Sequence, residues 1–403
     1  LGKAGVNIQK AMQQHFPGAI WVLQGWQDNP KKELLAETDK SALLIQELFG
    51  ENTNNWETRN GYESTPFIWC CVNNFGERPG LNGKLERYAG EVYRAATGPY
   101  KEYMKGVGIM PEGINNNPVS YDLVLELGWH NKPVDREKWI SEYVTARYGK
   151  ANPAIVTAWK MLLQTIYSNP GYQEGPPENV LCARPALEIK SVSSWGKLKK
   201  GYDTALFVKA VQTFATAAPL FGNSETYKID LINFVRQVIA NRADKVFTDM
   251  VTAYHEKNTN AFNTAANAFL TMHTRTDELL NSQSYYRLTS YQQQALRAGN
   301  TAAEKKNNLH NAMMLITYWG ESNRQEDNLH EYAYKEWAGM MTSFYQQRWK
   351  LYVDHLRNNL TGKTTTPPDF FAWEREWVQQ NEQVKTTVQP NSSLEKIVLK
   401  ILY

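Results

Sequence analysis

Four continuous apolar runs lie within the first 120 residues of this 403-residue chain, and strand signals are almost absent after them. No other feature limits the fold as strongly. The runs cover residues 19–26, 42–49, 66–75 and 106–113. None alternates apolar with polar residues, as a strand with one wet face would. Unbroken runs fit strands covered on both faces, as in a parallel sheet. Helical patterns lie beside or between them at 7–16, 32–40, 81–96 and 119–127. Alternating strand and helix predicts an α/β arrangement. Four such units are half of an eightfold barrel, or a small open sheet.

From about residue 134 the pattern turns helical. Asp135 is placed to cap a helix over 136–148, and a second covers 152–167. A loop rich in Gly, Pro and Asn spans 168–180. Long helical patterns follow at 203–220, 224–257, 259–282, 302–318 and 328–360. Residues 361–368 read as a Thr- and Pro-rich linker. Residues 370–383 read as an aromatic helix, 389–392 as a break, and 393–403 as a final amphipathic helix or strand. The expected organisation is α/β followed by all-α. Its parts are half a barrel over 1–133, a helical domain over 134–362, and a linker and tail over 363–403.

Composition excludes several classes of function. Lys+Arg is 44 and Asp+Glu is 41, a net charge of +3 without a basic stripe, so nucleic acid is not an expected partner. No apolar run approaches the length of a membrane span. Three cysteines, two of them adjacent, give neither a disulfide framework nor a thiolate metal site, and the seven histidines lack close ligand spacing. A chain that begins at Leu1 reads as a fragment or a processed product, so the missing leader says nothing of compartment. The 13 Trp and 22 Tyr fit either a large aromatic core or a surface that stacks on sugar rings.

Parallel sheets with crossover helices place their sites at the carboxyl ends of the strands. There the runs present Gln24-Gly25-Trp26, Glu47, Asn73-Asn74-Phe75-Gly76 and Pro111-Glu112-Gly113. Amides suit sugar hydroxyls, and Trp suits an apolar ring face. Glu112 is the sharpest candidate. It follows an apolar strand directly, between a residue that fixes the backbone and one that allows close approach. A carboxylate so placed serves as nucleophile or general base, or else as a helix-start or loop ion-pair residue. Glu47 either points into a barrel interior or is a buried carboxylate paired with a basic neighbour. Glu63 and Glu77 are expected to be solvated. In the helical region, residues 316–321 and 328–332 bring Trp319, Leu329 and Tyr332 to helix ends. His330 there reads as a surface or satisfied histidine.

Taken in order, several motifs give the chain a specific resemblance. They are Trp21-Val22-Leu23-Gln24-Gly25-Trp26, Pro66-Phe67-Ile68-Trp69-Cys70, Asn74-Phe75-Gly76 and Gly108-Ile109-Met110-Pro111-Glu112-Gly113-Ile114. Further along come Glu126-Leu127-Gly128-Trp129, Ala146-Arg147-Tyr148-Gly149, Arg184-Pro185, Trp319-Gly320 and Tyr345-x-x-Arg348-Trp349. Together they resemble the C-terminal part of the alpha-N-acetylglucosaminidases, glycoside hydrolase family 89.

The resemblance implies the last four units of a (β/α)8 barrel followed by an α-helical C-terminal domain. It implies release of terminal α-linked N-acetylglucosamine with retention of configuration, and no metal or organic cofactor. Glu112 falls on the family's nucleophile. The acid/base glutamate belongs to an earlier barrel strand and has no counterpart in residues 1–403, so the chain alone is expected to lack activity. Trp26, Trp69, Asn74, Trp319, Leu329 and Tyr332 fall on or beside family pocket positions. The implied partners are a glycan and the missing N-terminal half of the barrel, in a secreted, periplasmic or lysosomal setting. The alternative from the residues is a non-catalytic, aromatic-rich carbohydrate-binding or interaction module.

Overall fold

The computed structural model describes residues 1–113, 115–168, 174–320, 329–380 and 392–403. Ile114, Glu321 and Asn328 of the motifs above lie outside them, as do 169–173 of the loop over 168–180 and most of the break at 389–392. The chain forms two compact units. One comprises residues 1–75, 82–143 and 167–173; the other comprises 76–81, 144–166 and 174–403.

The first unit is built on one parallel sheet of four strands in sequential order: β1 (Trp21–Gly25), β2 (Leu43–Glu47), β3 (Phe67–Cys71) and β4 (Met104–Ile109). Each apolar run forms one strand. Register is regular from β1 to β3, with Gly25 beside Glu47 and Glu47 beside Trp69, so these three share a face; between β3 and β4 it shifts by one residue at Phe67/Ile68. Helices Lys32–Glu37, Leu85–Thr97 and Pro118–Leu127 make or follow the crossovers, as parallel pairing requires.

Burial separates the two faces. Leu43, Ile45, Phe67 and Trp69 are buried on one of them. There Phe67 stacks on Trp56, and Trp69 meets the Tyr88 ring of helix Leu85–Thr97. On the other face Val22 is 47% exposed, and Leu44, Gln46 and Ile68 are half-buried. Among the described residues no strand pairs with the outer edges of β1 and β4.

The polar stretch Asn55–Ser64 showed no helical period. It forms two short helical turns, anchored by fully buried Trp56 and Tyr62.

The second unit is helical. Glu225–His255 and Thr259–Asn281 form a hairpin with Thr204–Ala215, Gln346–Leu360 and Leu394–Leu402 packed on it. Asp135 caps its helix as read, and the structure adds two caps that were not. Asp135 accepts the amides of Glu137 and Lys138, Asp203 those of Ala205 and Leu206, and Thr301 and Glu304 form a reciprocal capping box. The pattern over 328–360 is helical only from the π-type turn Met341–Tyr345 onward. The preceding residues are non-helical because Tyr334, Lys335 and Glu336 are all buried and Gly339 turns at φ 96°. Leu288–Arg297 is a further helix that the pattern did not reveal.

Candidate active site

The carboxyl ends of the four strands bring together three rings and two tied loops. Trp26, just past β1, is half-buried and lies 5.0 Å from Phe49 and 5.6 Å from Phe75 between ring centroids. Phe49 and Phe75 meet edge to face at 5.6 Å. Each ring follows a different strand, so the parallel order itself assembles this aromatic cluster. Trp26 alone had been singled out. Phe75 stood in a strand-end motif without being picked out as a pocket residue, and Phe49 stood inside its apolar run, where nothing marked it apart from core residues.

Glu112 lies in the loop immediately after β4, and its side chain is exposed. The loop around it is fixed from two sides. The Tyr121 hydroxyl donates to the Gly113 carbonyl at 3.1 Å, and the Asn74 side-chain amide donates to Asn116 Oδ1 at 3.1 Å. Asn117, left-handed at φ 53°, accepts the Asn82 backbone amide at 2.8 Å and the Tyr167 hydroxyl at 3.3 Å.

Asn74 is completely buried, so its amide reaches Asn116 within the protein. Trp69 is completely buried as well, against Tyr88 and Gly50. It supports the strand end from the helix side.

Glu47 and Glu51 are the unexpected groups here. Glu47 points with Leu43 and Ile45 toward the helix side. No cation pairs with it: Oε1 accepts the Asn55 amide at 3.0 Å, and Oε2 has no partner among the described residues. Glu47 is thus buried, as one of its two readings had it, but it faces the helix side and has no ion-pair partner among the described residues. Burial pushes its carboxyl up to about 8. Glu51, in the turn after β2, accepts the amides of Val72 and Asn73, and burial pushes its carboxyl up to about 7. Glu63, expected in solvent, pairs with Arg59 at 2.6 Å.

The second unit carries its own aromatic group. Trp319 and Trp195 each meet the Tyr332 ring edge-on, at 5.3 and 5.9 Å. Leu329 lies half-buried three residues before Tyr332. Trp195 is exposed and left-handed, and no motif pointed to it. Beneath this group lies a buried ion network. Arg348 donates to Glu374 at 2.6 Å, to Glu331 at 2.7 Å and to the Cys182 carbonyl at 2.7 Å. Arg184 reaches the other Glu374 oxygen at 2.6 Å. Burial alone would raise the Glu374 carboxyl, but His330, Arg348 and Arg184 outweigh it and hold it low. His330 is partly exposed and lies 3.5 Å from Glu331 and 3.4 Å from Glu374. Glu77, also expected in solvent, lies 3.6 Å from Lys335.

Among the described residues no group of three or more His, Cys, Asp or Glu side chains is arranged to hold a metal ion. No helix among them is long and apolar enough to cross a membrane.

Comparison with known proteins agrees with this arrangement. The family model described as the Alpha-N-acetylglucosaminidase (NAGLU) tim-barrel domain matches residues 1–131. The one described as the Alpha-N-acetylglucosaminidase (NAGLU) C-terminal domain matches residues 139–401. The Alpha-N-acetylglucosaminidase of Homo sapiens is 30% identical over 368 residues, covering 88% of this chain and 48% of its own length. A family 89 glycoside hydrolase from Clostridium perfringens, in complex with PUGNAc, matches with a TM-score of 0.94 at 30% identity. The match covers 99% of this chain and 46% of that one. A Clostridium perfringens form with two Glu→Gln changes, in complex with its substrate GlcNAc-alpha-1,4-galactose, matches with a TM-score of 0.93 at 30% identity. That match has the same coverage of both chains. The chain thus spans about half the length of these relatives.

Proposed function

The chain belongs to the alpha-N-acetylglucosaminidase family, and from that premise we propose that it is part of a retaining glycosidase. Its reaction is release of terminal α-linked N-acetylglucosamine from a glycan, in a secreted, periplasmic or lysosomal compartment. The observation that carries this reading is Glu112: an exposed carboxylate directly past β4, on the carboxyl side of a parallel sheet whose other strand ends hold Trp26, Phe49 and Phe75. The Tyr121 and Asn116 contacts hold its loop.

Stereochemistry assigns that carboxylate its role. In an α-glucosaminide the acetamido group and the leaving oxygen lie on the same face of the ring. The acetamido oxygen therefore cannot attack C1 from behind the leaving group, and a protein carboxylate must. Glu112 forms the bond to C1 while the bond to the leaving oxygen breaks, and an acid protonates that oxygen. Water, activated by the same residue as base, then releases the sugar from Glu112 with overall retention. Retaining enzymes hold the two carboxyls about 5–5.5 Å apart. We place the acid on the four barrel strands that complete the sheet. Within the first unit Trp26 serves the sugar's apolar surface, while Trp69 and Asn74 act from behind it. No metal or organic cofactor enters the scheme.

The test uses the complete protein and a disaccharide with a terminal α-linked N-acetylglucosamine. Glu112→Gln should lower kcat by about a thousandfold or more, the scale of losing a nucleophile. Near-normal turnover in that variant would remove Glu112 from the role. Sugar binding without hydrolysis by the unaltered complete protein would favour a binding module instead.

A further inference from the structure

The loop that carries Glu112 is connected to a second buried carboxylate which the proposed reaction does not use. Glu51 is 2% exposed. Its Oε1 accepts two backbone amides, from Val72 at 3.2 Å and from Asn73 at 2.8 Å. These are the first two residues past the end of β3. Asn73 is left-handed at φ 63°, which β-strand residues avoid. Two further bonds hold this turn: the Tyr88 hydroxyl donates to Asn73 Oδ1 at 2.6 Å, and the Asn82 side-chain amide donates to the Asn73 carbonyl at 2.7 Å. The turn aims the next residue, Asn74, at Asn116 in the loop of Glu112. Asn82 also donates its backbone amide to Asn117 in that loop. Every member of this chain of contacts belongs to the first unit.

We propose that Glu51 is a positioning residue for the hydrolysis: it sets the turn at 72–73, and through Asn74 and Asn116 it fixes the loop that presents Glu112. The inference rests on the function proposed above. A carboxylate is well suited to the task because one oxygen can take both amides of a tight turn. Such amides would otherwise be buried without a partner. The same oxygen accepts whether the carboxyl is ionised or neutral, so the role depends on geometry rather than charge. Lys84 acts as a favourable charge on the Glu51 carboxyl, and Glu47 and Glu51 oppose each other's ionisation.

The experiment compares Glu51→Gln, Glu51→Asp and Asn116→Ala in the complete protein, with Glu112→Gln as the control, on an α-linked N-acetylglucosamine disaccharide. Gln keeps the acceptor at the same reach and should stay within about threefold of the unaltered kcat. Asp withdraws the acceptor by about one bond length. A misplacement of that order costs up to about a hundredfold in rate. We expect a loss of about 10- to 100-fold in kcat, with KM changed less than about threefold. Asn116→Ala should lose a similar factor. The Glu51→Asp/Asn116→Ala double variant should lose little more than either single one, since both interrupt one path. An unchanged kcat in Glu51→Asp, a deficient Glu51→Gln, or multiplicative losses in the double variant would each overturn the proposal. If Glu112→Gln keeps its activity, the functional reading itself fails. If Glu112→Gln loses activity while Glu51→Asp does not, only this inference fails.

Discussion

Glu47 makes a prediction at the scale of one residue. Its carboxyl is buried without a cation and pushed to about 8, against 4.5 in an unfolded chain. Between those values the folded state holds a proton that the unfolded state has released. Its contribution to stability is therefore complete below about pH 4.5 and is lost as the pH rises toward 8, at up to about 1.4 kcal/mol per unit. Glu51, pushed to about 7, adds in the same direction. Glu47→Gln removes the larger titration. Melting of the complete protein should show the unaltered form losing midpoint between pH 5 and pH 8, and the variant losing clearly less. Parallel curves would contradict the burial argument. The sequence placed Glu47 at a strand end but not on a face. Apolar runs conceal parity, because both faces of a parallel strand are apolar. Trp69 and Asn74 raised the same difficulty, since strand-end amides and rings look alike whether they meet a ligand or a neighbouring loop. The place of Glu112 just past a strand was legible because Pro and Gly bracket it after a clear apolar run.

Among elements, helix Gln346–Leu360 shows what a motif can conceal. Tyr345-x-x-Arg348-Trp349 marked the region without giving a reason. The structure supplies one: Arg348, fully buried, ties the turn at Cys182, the segment holding Glu331 and the helix holding Glu374. Arg348→Met leaves two buried carboxylates short of a cation. Breaking a buried pair in this way costs about 3–5 kcal/mol. At roughly 2–4 °C per kcal/mol for a large domain, the melting midpoint of the complete protein should fall by about 10 °C. An unchanged midpoint would show that Arg184 and His330 suffice. The strands and the long helices were legible because hydrophobic pattern marks them. Residues 329–339 and 55–64 were not, since their conformation is set by buried ion pairs and single buried aromatics. No periodicity records those. Leu394–Leu402 resolved a choice between helix and strand in favour of a helix packed on the hairpin.

For the molecule as a whole, the decisive fact is a sheet with unpaired edges. Parallel strands are found covered on both faces, yet Val22 is exposed and no strand among the described residues pairs with the outer edge of β1 or β4. An eightfold barrel closes both edges and fills its interior with side chains. Four more strands would supply both, together with the acid that the mechanism needs. The 403 residues alone should therefore associate or aggregate through these edges. They should also fail to hydrolyse an α-linked N-acetylglucosamine disaccharide, whose sugar leaving group requires protonation. Co-expression with a polypeptide carrying the other four barrel units should yield a soluble complex and restore turnover. An activated aryl glycoside separates the two deficits, because its leaving group departs without an acid. Slow aryl turnover by the 403 residues alone, abolished in Glu112→Gln, would show that the nucleophile's loop is formed and only the acid is lacking. Disaccharide turnover by the 403 residues alone would place an acid within them and overturn the division of the two carboxyls between barrel halves.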